Sequence, residues 1–252
     1  MIKTILVPVL GDETDKPVYG TAVAAARVLG ARLEFLFMGP SCPSFWEFQR
    51  AETSLRARFF RMFSWTWKGE PRTAEARLSF KSFCERERIG LHDMPPGPHA
   101  NSAEWREEQG EPIAHVIGHM LYNDLLITRA GGERSGRVGK LNEAALARGG
   151  RCILMAPSRP PVGLNETVVI AWKETPEVAR GAAAMPFVAG ADWVVVLSIN
   201  EGATTNVTSV GDVARQLRWH RLNVEAGVSR PLAAESSRHL STLRMACAPV
   251  SS

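Results

Sequence analysis

The chain has 252 residues, 45% of them hydrophobic, enough to bury one large core or two modest ones. Its net charge of +4 is too small an excess over that length to point to nucleic acid or a membrane surface by itself. Cys42, Cys84, Cys152 and Cys247 stand far apart with no C-x-x-C pair, so neither a zinc site nor a redox motif is indicated, and thiols kept reduced fit a cytoplasmic protein.

The opening apolar run is too short for a signal peptide, and no stretch reaches the roughly 20 apolar residues that cross a bilayer, so no membrane partner is expected. Ile5, Leu6, Val7 and Val9 read as a short buried strand that Pro8 and Gly11 bring to an end. Thr21 to Leu29 carries Ala22, Val23, Ala25, Ala26 and Leu29 at helical spacing, with Gly30 just beyond the helix. Leu33 to Met38 is a second strand, so the opening is a βαβ unit, which calls for a parallel sheet with a right-handed crossover.

Residues Phe45 to Arg72 interleave aromatic side chains such as Trp46, Phe59, Phe60 and Trp67 with Arg56, Arg58, Arg61 and Lys68. The pattern is expected to be a crossover helix that buries its aromatics and leaves its arginines in water. The other reading is a surface for single-stranded nucleic acid, with bases on the rings and phosphates on the arginines.

A helix is then predicted around Ala74 to Arg88, a short strand near Gly90 to Asp93 and a helix around Pro112 to Leu121. Strands at Asp124 to Thr128 and Cys152 to Met155 bracket a helix at Lys140 to Arg148, which makes five strands. His115 and His119 share a face of the Pro112 to Leu121 helix, but no third metal ligand stands nearby, so both read as partly exposed polar residues. No Gly-x-Ser-x-Gly elbow follows a strand, so a hydrolase triad lacks its nucleophile turn.

After the linker Pro157 to Gly163 the opening pattern returns: Thr167 to Trp172 is a strand, Val178 to Ala189 a helix, and Trp193 to Ile199 a strand. Thr4-Ile5-Leu6-Val7-Pro8 stands opposite Thr167-Val168-Val169-Ile170-Ala171, and Leu29-Gly30-Ala31 opposite Ala189-Gly190-Ala191. A helix at Val210 to Trp219 and a strand at Asn223 to Val228 follow, before a polar, serine- and alanine-rich end. The expected division is a first α/β domain over 1–158, a partial second copy over 164–228 and an irregular tail over 229–252.

Several of these segments resemble the universal stress protein family: Lys3 to Val9, Gly30-Ala31, Trp105-Arg106-Glu107, Asp124 to Ile127, Glu143 to Leu146 and Cys152 to Pro157. Ile170-Ala171-Trp172 with Glu177 to Arg180 is similar to the second half of its bacterial tandem members. The resemblance implies an α/β fold with an open parallel five-stranded sheet in the order 3-2-1-4-5, followed by a partial second copy. It also implies a homodimer, paired through the edge strand Cys152 to Met155.

In that strand order a ligand crevice lies between the ends of strands one and four. Its walls are the loop after Val9 and the loop Arg129 to Lys140, whose glycines and cations suit an anion. The family's nucleotide binders usually carry Asp after the first strand, where this chain has Leu10 and, in the second copy, Lys173. Their phosphate loop ends in Gly followed by Ser or Thr, whereas Gly139 is followed by Lys140, and the loop back to Gly132 is short by several residues. Gly136, Gly139 and Gly149 reproduce the family's glycine spacing, but Gly149 closes a helix instead of opening one.

The expected function is therefore a non-enzymatic stress-response module that senses a ligand or binds another protein, with a degenerate nucleotide loop and no cofactor. ATP binding and nucleic-acid binding through residues 45–72 are the alternatives. Candidate ligand contacts are Val9, Leu10, Gly132, Ser135, Gly136, Gly139 and Lys140.

Overall fold

The computed structural model describes residues 2–12, 15–38, 73–92, 101–130, 136–164, 166–175, 185–199, 207–220 and 222–229. They belong to two compact units, Met1–Val162 and Gly163–Ser252.

In the first unit the strands are β1 (Thr4–Val9), β2 (Arg32–Met38), β3 (Gly90–Leu91), β4 (Ser102–Glu108), β5 (Leu125–Arg129) and β6 (Cys152–Ala156). The helices are α1 (Asp15–Leu29), α2 (residues 73–87), α3 (Pro112–Met120) and α4 (Gly136–Arg148). All strands run parallel, in the order β3-β4-β2-β1-β5-β6.

The sheet is α/β and parallel, as the sequence reading expects, with one change in the third position. The strand beside β2 is β4, and the segment expected there contributes only the two residues of β3 at the edge. The sequence Ser102-Ala103-Glu104-Trp105-Arg106-Glu107-Glu108 is too charged to read as a buried strand. It pairs because Ala103 and Trp105 face the aromatic layer while Glu104 and Arg106 meet each other on the opposite face at 2.7 Å.

Two layers of helix cover the sheet. On one face Tyr19 of α1 meets Phe35 edge-on at 5.0 Å, and Phe80 of α2 packs against Phe35 and Trp105. On the other, Val116 and Met120 of α3 and Leu141 and Ala145 of α4 share a cluster with Leu6, Leu36 and Leu126. α4 begins at Gly136, four residues before the Lys140 expected from sequence, because its apolar period starts at buried Val138 and continues through Leu141 and Ala145.

β1 pairs with β2 over Thr4 to Val9 but with β5 only at Ile5 and Leu6. Pro8 has no N–H to give a ladder, and the β1–β5 pairing stops before it. The C-terminal ends of these two strands are thereby left unjoined.

The second unit has β7 (Thr167–Ala171), α5 (Met185–Val188), β8 (Trp193–Ile199), α6 (Val207–Arg218) and β9 (Val224–Ser229), with a parallel sheet β7-β8-β9. Its core joins Val188 of α5 and Val210, Ala214 and Leu217 of α6 to Val194 and Val196 of β8. Both helices therefore pack on one face, as right-handed crossovers moving in one direction require. Of the expected helix Val178 to Ala189, residues 185–188 are described as α5; most of it, with segment 45–72 and the tail from residue 230, lies outside the described residues. No described helix is long and apolar enough to cross a membrane.

Candidate functional site

The winding direction reverses between β1 and β5, and in open α/β sheets ligands bind outside the carboxyl ends of the strands at such a point. Val9 is fully buried at the end of β1. Leu10 follows half-buried, with its side chain against the cluster of Leu6, Leu36 and Leu126. An apolar residue here fills space beneath α3 and α4 and offers no polar group to a ligand.

The backbone of this loop is also engaged. The Asp15 carboxylate, buried at the first residue of α1, accepts from the N–H groups of Leu10 (3.2 Å), Gly11 (2.7 Å) and Asp12 (3.2 Å). Gly11 makes this possible: its φ is +73°, and a Cβ there would lie 2.8 Å from the Phe37 ring. Successive N–H groups converging in this way form a concave nest that suits an anion, and here the anion is the chain's own. Burial raises the Asp15 carboxyl above its ordinary range and outweighs the three amides, which act the other way; the charge of Asp12 adds to the rise.

On the β5 side, the Thr128 hydroxyl donates to Asn142 Oδ1 at 2.7 Å, and Asn142 Nδ2 donates to the Arg129 carbonyl at 3.1 Å. Thr128 and Asn142 are both buried, so α4 is latched to the end of β5. The Ala130 N–H donates to the Ala156 carbonyl at 3.0 Å, which fixes the first step of the following loop.

Gly136 is exposed and opens α4 with a φ of +47°. Gly139 is half-buried and Lys140 exposed, and both lie within the helix, not on a loop. Gly132 and Ser135 lie outside the described residues. The sequence reading overlooked Asp15 and Asn142. An acid at a helix start and a lone Asn in an Ala/Leu-rich helix were the available signals.

A second polar cluster sits away from the crevice. His119, expected to be partly exposed, is only 5% exposed, and its Nδ1–H donates to Glu34 on β2. Asn123 Nδ2 donates to the other Glu34 oxygen at 3.3 Å and to the His119 carbonyl at 3.0 Å. Arg106 Nε stands 3.9 Å from Glu34, and Glu108 stands 3.6 Å from His119 Nε2. The cluster ties α3 to β2 and β4, and both imidazole nitrogens face carboxylates. Among the described residues, no group of three or more His, Cys, Asp or Glu could hold a metal ion.

No protein-family model matches the chain, and no curated protein sequence matches it. Solved structures do. A universal stress protein from Archaeoglobus fulgidus DSM 4304 aligns over 91% of this chain and 79% of its own, with a TM-score of 0.53 and 12% identity. UspA from Lactobacillus plantarum aligns over 62% of this chain and 97% of its own, at a TM-score of 0.40 and 16% identity. A universal stress protein in complex with cAMP aligns over 62% and 98%, at 0.34 and 14%; these two scores are too low to bear on the fold. The Archaeoglobus likeness is one of fold, and it agrees with the strand order and helix layers described above: the chain has the α/β fold of a universal stress protein.

Proposed function

We propose that this chain is a cytoplasmic, non-enzymatic universal stress protein that senses a ligand or binds another protein, and that its first-unit crevice no longer grips a nucleoside triphosphate. One observation carries the reading: the N–H groups of Leu10, Gly11 and Asp12 are spent on the Asp15 carboxylate. Any anionic group approaching this wall of the crevice meets a buried acid where it would need open donors. Lys140, in the place of the family's hydroxyl residue, lies inside α4 and not on a phosphate loop. The His119–Glu34 pair is committed to joining α3 and β2, which supports a structural and not a catalytic role for it.

Thermal unfolding with and without Mg-ATP tests this directly. A ligand at about a thousand times its Kd stabilises the folded chain by about 4 kcal/mol, a shift of several degrees that is hard to miss. No shift is expected. Adenine nucleotide released from the purified protein on denaturation would overturn the reading.

The same proposal includes a homodimer through β6. It is the last strand of its sheet, and Met155 on it is 43% exposed. Sedimentation at micromolar concentration is expected to give twice the chain mass; a single monomeric species removes the dimer.

A further inference from the structure

The outer edge of the first sheet holds a second recess, separate from the crevice. β3 pairs with β4 only at Ser102 and Ala103, so β4 runs on past its neighbour. A cavity of about 210 Å³ lies there, between β3, β4 and α2. Its inner wall is aromatic: Phe80 is fully buried with its ring centre 4.8 Å from that of Trp105, and Trp105 stacks on Phe37 at 5.5 Å. Leu91, 49% exposed, forms an apolar rim.

The charge around it is unbalanced. Glu104 is the single acidic residue in the lining, and its carboxylate is turned to the opposite face of β4, where Arg32 and Arg106 hold it. Lys81 lines the cavity and has no carboxylate partner among the described residues. Arg77 also lines it and reaches Glu107 only at 3.9 Å, with both side chains well exposed, an ion pair too weak to hold the guanidinium in place. Glu107, which stands near Arg77, accepts the Trp105 Nε1–H at 2.7 Å, so the cation in excess at the mouth is Lys81. An apolar wall with one cation in excess at its mouth favours a molecule that is flat and apolar at one end and anionic at the other.

We propose that this recess binds a small amphipathic anion of the aromatic carboxylate class, its ring against Trp105 and Phe80 and its carboxylate toward Lys81 and Arg77. Size sets the class: sites for drug-sized ligands occupy about 300–1,000 Å³. A recess of about 210 Å³ falls below that range, on the scale of a small aromatic acid. The site lies beyond β2 from the β1–β5 crevice and is independent of how that crevice is read.

The experiment titrates the full chain with 2-naphthoate and, separately, with neutral 2-naphthamide, by calorimetry or ligand-observed NMR. Saturable naphthoate binding is expected, with the amide weaker by about tenfold, the scale of a charge-assisted hydrogen bond. Lys81→Ala should weaken naphthoate about two- to fivefold and leave the amide unchanged. Leu91→Asp, at an exposed position, should weaken both by removing an apolar contact, and naphthoate more because the new acid repels its carboxylate. Circular dichroism and unfolding temperature keep folding separate from binding in each variant. No naphthoate binding, equal affinity for the two probes, or unchanged naphthoate affinity in Lys81→Ala each overturns the proposal.

Discussion

Asp124 and Thr4, 120 residues apart, hold each other by reciprocal hydrogen bonds. The Thr4 N–H and hydroxyl donate to Asp124 Oδ2 at 3.1 and 3.2 Å, and the Asp124 N–H donates to the Thr4 carbonyl at 3.0 Å. The Lys3 N–H adds a further bond to the same oxygen at 2.8 Å. Asp124 immediately precedes β5, so this clasp joins β1 and β5 at the end where they stay paired. At the other end the ladder stops after Leu6.

The clasp predicts an acid-sensitive component of stability. Burial alone would raise the Asp124 carboxyl, but the Lys3 and Thr4 hydrogen bonds, with Arg151 nearby, bring it below its ordinary value of 3.8. The unfolded chain therefore binds the proton more tightly. The stabilisation is fully present above that ordinary value and is lost as pH falls through the lower folded-state value. Asp124→Asn should cost about 1 kcal/mol near neutrality and show a flatter loss of stability on acidification than the parent. Urea midpoints measured from about pH 6 down to about pH 3 report it; parallel curves for the two proteins would contradict it.

The His119–Glu34 pair should prove costly to halve and cheap to replace. Removing the imidazole leaves a largely buried carboxylate with Asn123 as its close partner, a loss of about 3 kcal/mol. Replacing both residues by leucine removes the buried charge together with its partner. The double variant is expected to be more stable than His119→Leu alone, as measured by chemical denaturation in a double-mutant cycle. A double variant less stable than the single would show that Glu34 is not left uncompensated when His119 is removed, and one several kcal/mol below the parent would show that the pair contributes net stability.

What the sequence made legible follows from how strongly each signal is local. β1, β2 and β5 are short runs rich in Ile, Leu, Val and Phe, and their burial in a parallel sheet follows from that composition; β6, also apolar, stays half-exposed because it is the edge strand. β4 was missed because Glu104 and Arg106 meet each other, Arg32 and Glu34 only after the strands are paired, and Glu108 meets His119 only once α3 has packed on the sheet. The loop after β1 showed the same limit: Leu10 was visible as an apolar residue in an acid's place, but the role of Asp15 depends on a backbone turn at Gly11.

Corresponding strands of the two units should respond differently to the same deletion. Leu6 and Val169 occupy matching places in the two opening patterns, yet Leu6 is fully buried between two neighbours while Val169 is 53% exposed on β7, which has β8 as its single partner among the described residues. Leu6→Ala should cost about 3 kcal/mol or more, for lost burial plus the cavity left behind. Val169→Ala should cost about 0.5 kcal/mol, as exposed changes do. Equal losses in urea unfolding would mean that β7 is covered in solution.

Asp15 gives the most direct test of the filled nest. Asp15→Ala strips the acceptor from three N–H groups and should cost about 1–3 kcal/mol, whereas Asp15→Asn keeps one oxygen in place and should cost less. The two also differ in pH response. Because burial raises the Asp15 carboxyl, the folded chain holds that proton more tightly than the unfolded chain. Its contribution is greatest below the ordinary carboxylate value of 3.8 and falls as pH rises through the raised one. Asn carries no such proton, so the deficit of Asp15→Asn relative to the parent should shrink between about pH 4 and about pH 7. Unfolding midpoints of both proteins across that interval decide the sign. A deficit that grows with pH would mean that the three amides outweigh burial, and that the nest prefers a full negative charge.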